Sequence, residues 1–399
     1  MRISTAQMFN QSITSVLDKQ TSTSKILEQL SSGKRVNTAG DDPVAAIGID
    51  NLNQQNALVD QFMKNIDYAN NHLSLTESKL GSAETLVGST REQVLRAING
   101  GLSDSERQMI ADELRGTLEE LLAVANTRDE SGNFMFSGYE TGKQPFAFDA
   151  SGNVVYSGDS GVRDAIVASG VTVATNIPGD QAFMNAPSGL GDFSANYLAT
   201  QVGDFNVQSA KITNPSVVPE QYTFDFADNG AGGLDLTVTD SGGTAQVFTN
   251  FDATNPVSFN GIEVKLSGMP AAGDSFSITP QSEVSIFDTI SQAISLVEDT
   301  NKIDTPQGMA ELAQILNNLD GGVNQISIAR GQAGNSLKSL DSHSATHTEE
   351  KLVNSSALSM LEDLDYASAI TELEKQQLAL NAVSSVFSKV GSTTLFDYI

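Results

Sequence analysis

The chain contains no cysteine and no tryptophan in 399 residues. Without thiols it can form neither disulfides nor thiolate metal sites, and no thiol oxidation can regulate it. Aromatic residues make up 6% of the chain and charged residues 18%, so its helices must pack mainly through aliphatic and small side chains. Basic residues are scarce: 22 Lys and Arg against 49 Asp and Glu leave a formal net charge of −27. That balance excludes nucleic acid and anionic membrane surfaces as partners, because both are themselves negative. No apolar run approaches the ~20 residues that a membrane-spanning helix requires. The opening MRISTAQMFNQSITSVLDKQ builds no apolar core followed by small residues at a cleavage point. Export, if it occurs, is therefore expected to read an uncleaved chain end.

The chain has enough residues for two or three domains with buried cores. Its most informative feature is a seven-residue repeat through Leu52, Val59, Ile66, Leu73, Leu80, Val87 and Val94, with Phe62, Ala69, Ala83 and Ala97 in a companion track three residues later. Seven successive apolar hits at one spacing indicate a coiled-coil seam rather than a surface helix, whose stripe drifts with the 3.6-residue period. Asp41 or Asp42 can cap this helix and Pro43 suits its first position. Unbroken to Asn99, it would extend roughly 85 Å at 1.5 Å per residue.

Before it, Ser4 and Gln7 form a capping-box pattern, and Gly33 suits the left-handed residue that ends a helix. The positions between, Phe9, Ile13, Val16, Gln20, Thr23, Leu27 and Leu30, alternate steps of four and three, but Gln20 and Thr23 interrupt the stripe with polar groups. A lone helix of this kind is marginal in water and needs partners. A third helix is expected from Ser103, with Glu106 as capping partner and Ile110, Leu114, Leu118, Leu121 and Ala125 on one face.

Residues from about 145 to 280 alternate apolar and polar side chains between Gly, Asn and Asp turns, as in QYTFDFADNG, LDLTVTDSGG and VSFNGIEVKLSG, which predicts a β-rich insertion. Its 14 acidic against 3 basic residues suit an exposed position. Helical spacing returns at Phe287, Ile290, Ile294 and Val297. It continues past Thr305 and Pro306 through Leu312, Leu316, Leu319, Val323, Ile326, Ala333, Leu337 and Leu340. Gly321 and Gly322 are expected to weaken that helix by ~1 kcal/mol each relative to alanine. In the last segment Tyr366, Ile370, Leu373, Leu380 and Phe387 line one face, and thirteen consecutive residues between Lys375 and Lys389 carry no charge. Such an end is expected to be buried in something larger. Helices at both ends of a β-rich centre imply that the termini return to one place and pair.

LSSGKRVNTAGDDPVAAIGI, GNFMFSGYETGKQPF, SFNGIEVKLSGMPAAGDSFSITP and LEKQQLALNAVSSVFSKVGSTTLFDYI together resemble the bacterial flagellin superfamily, and within it the subunits of the hook-filament junction. The resemblance spans both ends and parts of the middle. It implies a mainly α fold with a β-rich insertion, in which both chain ends form a long antiparallel coiled-coil or helical-bundle rod. It implies three parts: an inner terminal coiled coil of residues 1–42 with 350–399, a helical rod of 43–145 with 284–349, and an outer β domain of 146–283. The assembly helices would use Phe9, Ile13, Val16, Leu27, Leu30, Tyr366, Ile370, Leu373, Leu380 and Phe387, and the rod seam Leu52, Val59, Ile66, Leu73, Leu80, Val87 and Val94. The implied partners are further copies of the chain in an axial ring, hook-associated protein 1, flagellin and a flagellar export chaperone. The implied location is extracellular, in the flagellum, without enzyme activity, cofactor or metal. The tract from about 190 to 220 has no matching segment in that pattern.

Other chemistry is weakly signalled. His343 and His347, four apart with Glu350 near, make half a metal site, but a third ligand and an H-E-x-x-H pattern are missing. His72 has no nucleophile-base motif around it. GYETGKQ lacks P-loop spacing, no helix follows the glycines of GAGGLD, and no D-x-D-x-D-G calcium loop occurs. Arg330 falls in an apolar track, where it needs a carboxylate or carbonyl partner, either as a misfit in the core or as a contact between subunits. The competing readings are flagellin itself or hook-associated protein 1 and, from another class, a coiled-coil surface adhesin or a ligand-binding protein.

Overall fold

A computed structural model describes residues 5–98 and 101–392, without the side chains at 5, 6, 8, 9, 387 and 390–392. The Ser4 half of the expected capping box, and the side chains of Phe9 and Phe387, therefore lie outside the described residues. The chain is mainly α, with fourteen short strands among the described residues, inserted in sequence between helices. In order these are α1 (Thr5–Ser32), α2 (Pro43–Ala97), α3 (Asp104–Ala125), strands β1 to β14 from Phe146 to Val284, α4 (Ile286–Glu298), α5 (Pro306–Glu362) and α6 (Tyr366–Ser392). It divides into two compact units, Met1–Lys64 with His343–Ile399, and Asn65–Ser342.

The larger unit holds two apolar cores. In the first, Ile66, Leu73, Leu80, Val87 and Val94 of α2 are all buried, together with Ile110, Leu114, Leu118 and Leu121 of α3, Phe287, Ile290 and Val297 of α4, and Leu312, Leu319, Ile326 and Leu340 of α5. Between the aliphatic positions of α2 stand buried Thr76 and Thr90, whose hydroxyls donate to the carbonyls four residues back at His72 and Leu86. The Ser103 capping box closes in both directions, with the serine hydroxyl accepting from the Glu106 amide and the glutamate accepting from the Ser103 amide at 2.8 Å.

The second core lies in the β region. A five-stranded antiparallel sheet runs in the order β10 (Ala245–Phe251), β9 (Leu234–Asp240), β8 (Tyr222–Asp228), β13 (Ser275–Pro280) and β6 (Phe193–Tyr197). A three-stranded sheet consists of β11 (Val257–Phe259), β12 (Ile262–Met269) and β7 (Asp204–Ile212). The period of two puts Tyr222, Phe224 and Phe226 inside with Phe205, Phe259 and Phe276, and Phe224 stacks on Phe276 at 4.5 Å between ring centroids. The tract from about 190 to 220 thus forms two core strands, β6 and β7. The outer backbone edge of β6 is closed by glutamines of α5: Gln314 accepts from the Ala195 amide at 3.2 Å and Gln307 donates to the Tyr197 carbonyl at 3.1 Å.

Gly321 and Gly322 do more than weaken a helix. A Cβ at Gly321 would sit 2.4 Å from the Pro187 carbonyl oxygen, and one at Gly322 would sit 2.9 Å from Ile286. Their missing side chains let α5 lie directly against β5 (Ala186–Pro187) and α4. Arg330 is not a core misfit: half-exposed, its guanidinium pairs with Glu77 and Glu84 of α2, both at 2.5 Å, and lies across Gly81.

Candidate assembly interface

In the smaller unit α1 and α6 pair along their lengths. No residue of α1 with a described side chain is buried, and in α6 only Ala369 is. Ile13, Val16 and Leu30 are half-buried, as are Leu373 and Leu380, while Leu27, Tyr366 and Ile370 are exposed. Leu378 stands 74% exposed inside the uncharged run. The two helices thus meet without forming a dry interior, which in water leaves them little beyond marginal helix propensity. By contrast, Leu80, Val87 and Val94 in α2 have no exposed surface. Nearer the hinge that series thins: Val59 is buried but Leu52 only half-buried.

Within the smaller unit, the first turns of α2 face the last turns of α5 through mixed chemistry. Asn354 donates to Asn56 at 3.0 Å, Lys351 pairs with Asp60 at 2.6 Å, and His347 stacks on Phe62 at 5.5 Å while its Nδ1 lies 2.9 Å from Glu350. His347 is therefore a helix-packing residue. Among the described residues no group of three or more His, Asp or Glu is placed to hold a metal ion. No described helix is long and apolar enough to cross a membrane.

The basic hinge has a structural purpose that sequence reading missed. Gly33, at φ +74, ends α1 with its amide donating to Gln29. Alongside it the C-terminal helix breaks between Glu362 and Tyr366, a break that helical periodicity does not signal. The two interruptions are tied together. Lys34 forms a β-bridge with Asp363, the Leu364 amide donates to the Gly33 carbonyl at 3.0 Å, and the Arg35 amide donates to the Glu362 carbonyl at 2.6 Å. The Arg35 guanidinium donates to the Leu361 carbonyl at 2.8 Å, and Lys34 pairs with the Glu362 carboxylate. A helix C-terminus presents open carbonyls and partial negative charge, so Lys34 and Arg35 cap α5 from more than 300 residues away.

Asp41 and Asp42 divide the remaining work. Asp42 caps α2, its carboxylate accepting from the Ala45 amide at 3.0 Å. Asp41 braces the hinge, accepting from the Asn37 and Thr38 amides and pairing with Lys25 at 2.7 Å. The Lys25 contact first, and the Thr38 amide second, hold the Asp41 carboxyl far below its ordinary range. Asp365 caps α6 by accepting from the amides of Ala367 and Ser368 and the Ser368 hydroxyl, and those bonds lower its pKa as well.

The GNFMFSGY stretch of the larger unit is also a structural knot. Gly138, at φ +71, passes so close to the Asp159 carbonyl that a Cβ would sit 2.2 Å from it. The Asp159 carboxylate accepts from the amides of Tyr139, Glu140 and Gly161, which lower its pKa. An open cleft of about 1170 Å³ lies near α4 and the start of α5, lined by five carboxylates among other polar groups. Its lysine, Lys302, is already paired with Glu311 at 2.7 Å.

Terminal helices α1 and α6 that pair with little burial, and a β-rich segment inserted in sequence between helices, define a two-ended helical subunit. The sequence model of the bacterial flagellin N-terminal helical region matches residues 3–141. The crystal structure of flagellar hook-associated protein 3 from Legionella pneumophila superposes with a TM-score of 0.70 at 31% identity, over 78% of this chain and 98% of that one. The chain belongs to the bacterial flagellin family, in its hook-associated protein 3 branch. Flagellar hook-associated protein 3 of Salmonella typhimurium is 37% identical over 146 residues, which is 37% of this chain and 46% of that protein. The chain thus aligns with under half the length of that curated relative. Flagellin B of Vibrio anguillarum is 26% identical over 374 residues, 92% of this chain and 90% of that protein.

Proposed function

We propose that the chain is a structural, non-enzymatic subunit of the bacterial flagellum, set at the hook-filament junction between hook-associated protein 1 and the first flagellin subunits. In this reading it stands in an axial ring with copies of itself, and it reaches that place by export with a chaperone and without a cleaved signal. Residues 1–42 with 350–399 form the inner coiled coil, 43–145 with 284–349 the coiled-coil rod, and 146–283 the outer domain. The side chains named for assembly, from Phe9 to Leu30 and from Tyr366 to Phe387, pack against neighbouring subunits.

The observation that carries this reading is the single buried residue, Ala369, among the described side chains of the terminal pair. Apolar surface contributes about 25 cal/mol per Å² when it leaves water, before ordering costs are subtracted. A pair that keeps Leu27, Ile370 and Leu378 in solvent has that term still to gain. Neighbours on both sides are the means of gaining it, so folding of the ends and docking become one event.

The test is genetic and biochemical together. A strain lacking this gene is expected to secrete flagellin without attached filaments. Chain truncated after Asp365 is expected to keep the Asn65–Ser342 unit folded and fail to restore filaments. Normal filaments from the truncated chain would contradict the assignment of the terminal helices.

A further inference from the structure

The pairing of the two helix breaks points to a device beyond capping. We infer that Gly33 to Arg35 and Leu361 to Tyr366 form a staple that couples the two terminal helices, so that α1 and α6 order, fray and dock as one body. The inference rests on the assembly reading for its purpose, but the staple itself is a property of the free subunit.

Three hydrogen bonds cross between the segments onto backbone carbonyls, two of them making up the antiparallel bridge. Leu364 donates to Gly33, Arg35 donates through its amide to Glu362 and through its guanidinium to Leu361, and Lys34 faces Asp363 in an antiparallel bridge. The tip of Tyr366 then reaches the glycine: a Cβ at Gly33 would meet the Tyr366 hydroxyl at 2.9 Å. Tyr366 is the first residue of α6, and Gly33 follows the last residue of α1. The end of one helix is therefore seated on the start of the other. Gln29, in the last turn of α1, adds a tie by donating to the Arg35 carbonyl at 2.6 Å. Arg35 thus touches both sides of the joint: its carbonyl holds α1 and its amide and guanidinium hold the end of α5. Because α1 and α6 bury so little between them, this joint is where their motions can be linked most strongly. Opening the start of α6 lifts Tyr366 from Gly33 beside the Leu364 bond, and opening the last turn of α1 frees the Gln29 tie to Arg35.

Arg35 is a positioning residue in this scheme, so its test needs a readout that loss of a surface contact would not move. Amide exchange of the full-length free subunit is compared for the native chain, Arg35→Ala and Arg35→Lys. Arg35→Ala removes the guanidinium bond to Leu361 and a longer ion pair with Asp42 at 3.5 Å, and leaves the backbone bonds of the joint in place. Coupling predicts that exchange rises together in residues 26–32 of α1 and 366–372 of α6, by roughly tenfold, the loss expected for one hydrogen bond from a charged donor. Arg35→Lys should recover part of that protection. A rise confined to residues 355–362, with both terminal helices unchanged, would overturn the coupling.

A second variant, Lys34→Cys with Asp363→Cys, uses the absence of native cysteine. Antiparallel partners stand about 4.5–5.5 Å apart between Cα atoms, within reach of a disulfide. The bond is expected to close on mild oxidation, and the oxidised chain to restore filaments as well as the reduced one. Failure of the bond to close, or filaments from the reduced chain alone, would refute a staple kept through assembly. If the bond closes on oxidation but neither the oxidised nor the reduced chain restores filaments, the coupling stands and the assembly reading falls.

Discussion

The guanidinium of Arg107 in α3 is 2% exposed, yet it is held by Asp304, which stands 54% exposed, with bonds of 2.7 and 2.9 Å. The two partners are unequal. Removing the carboxylate strands a buried cation, whereas removing the cation leaves a carboxylate that water can serve. Asp304→Ala is expected to cost about 2–3 kcal/mol, and Arg107→Met clearly less. Urea unfolding of both variants and of the double mutant checks the order, and equal losses would show that the pair is symmetric.

Burial along α2 sets a gradient that truncation can read. Leu80 has no exposed surface, so Leu80→Ala should cost about 2–5 kcal/mol, while the same change at half-buried Leu52 should cost under about 1.5 kcal/mol. Similar losses at both positions would contradict the graded seam.

Glycines of one helix should respond with opposite sign. Gly331 and Gly334 of α5 have nothing within 4 Å of a new Cβ, so alanine there should stabilise by about 1 kcal/mol each. Gly321→Ala places its methyl 2.4 Å from the Pro187 oxygen and should destabilise by about 1–3 kcal/mol despite the better propensity. Thermal melts of the three variants decide.

The helices were legible because seven-residue spacing, the Ser103 capping box and Pro43 each act through neighbours in sequence. The β region was legible from alternation at Tyr222, Phe224 and Phe226. The helix break at Asp363 was not, because LEDLDY contains neither glycine nor proline and its stop is written in Lys34 and Arg35, over 300 residues away. For the same reason composition alone read Gly321 and Gly322 as weak points: what they accommodate, Pro187 and Ile286, is distant in the chain. Arg330 announced its need for a partner but not which one, since Glu77 and Glu84 lie on another helix.

Acid should loosen one part of the larger unit. His72 is buried in α2, its Nδ1 2.7 Å from the Thr175 carbonyl and its Nε2 3.4 Å from Arg163, with Tyr68 beside it and Asp129 and Glu130 at longer range. Burial first, and the Arg163 charge second, lower its pKa from the usual 6.5, against a smaller opposing pull from the Thr175 carbonyl and the two carboxylates. The unfolded chain then binds the proton more readily, so stability is full above about pH 6.5 and falls as pH drops toward the native pKa. His72→Gln should flatten this dependence between pH 7 and 5. Unfolding midpoints with the same pH slope in both proteins would show that His72 is not the group responsible.

The claim on which the account depends is that α1 and α6 obtain their interior from neighbouring subunits. Hydrogen exchange measured on the free subunit, and again after incorporation into the filament base, tests it directly. In the free chain, residues 12–32 and 366–386 should exchange far faster than residues 66–94 of α2, and should become protected on incorporation. Terminal helices that are already as protected as α2 in the free subunit would contradict the account.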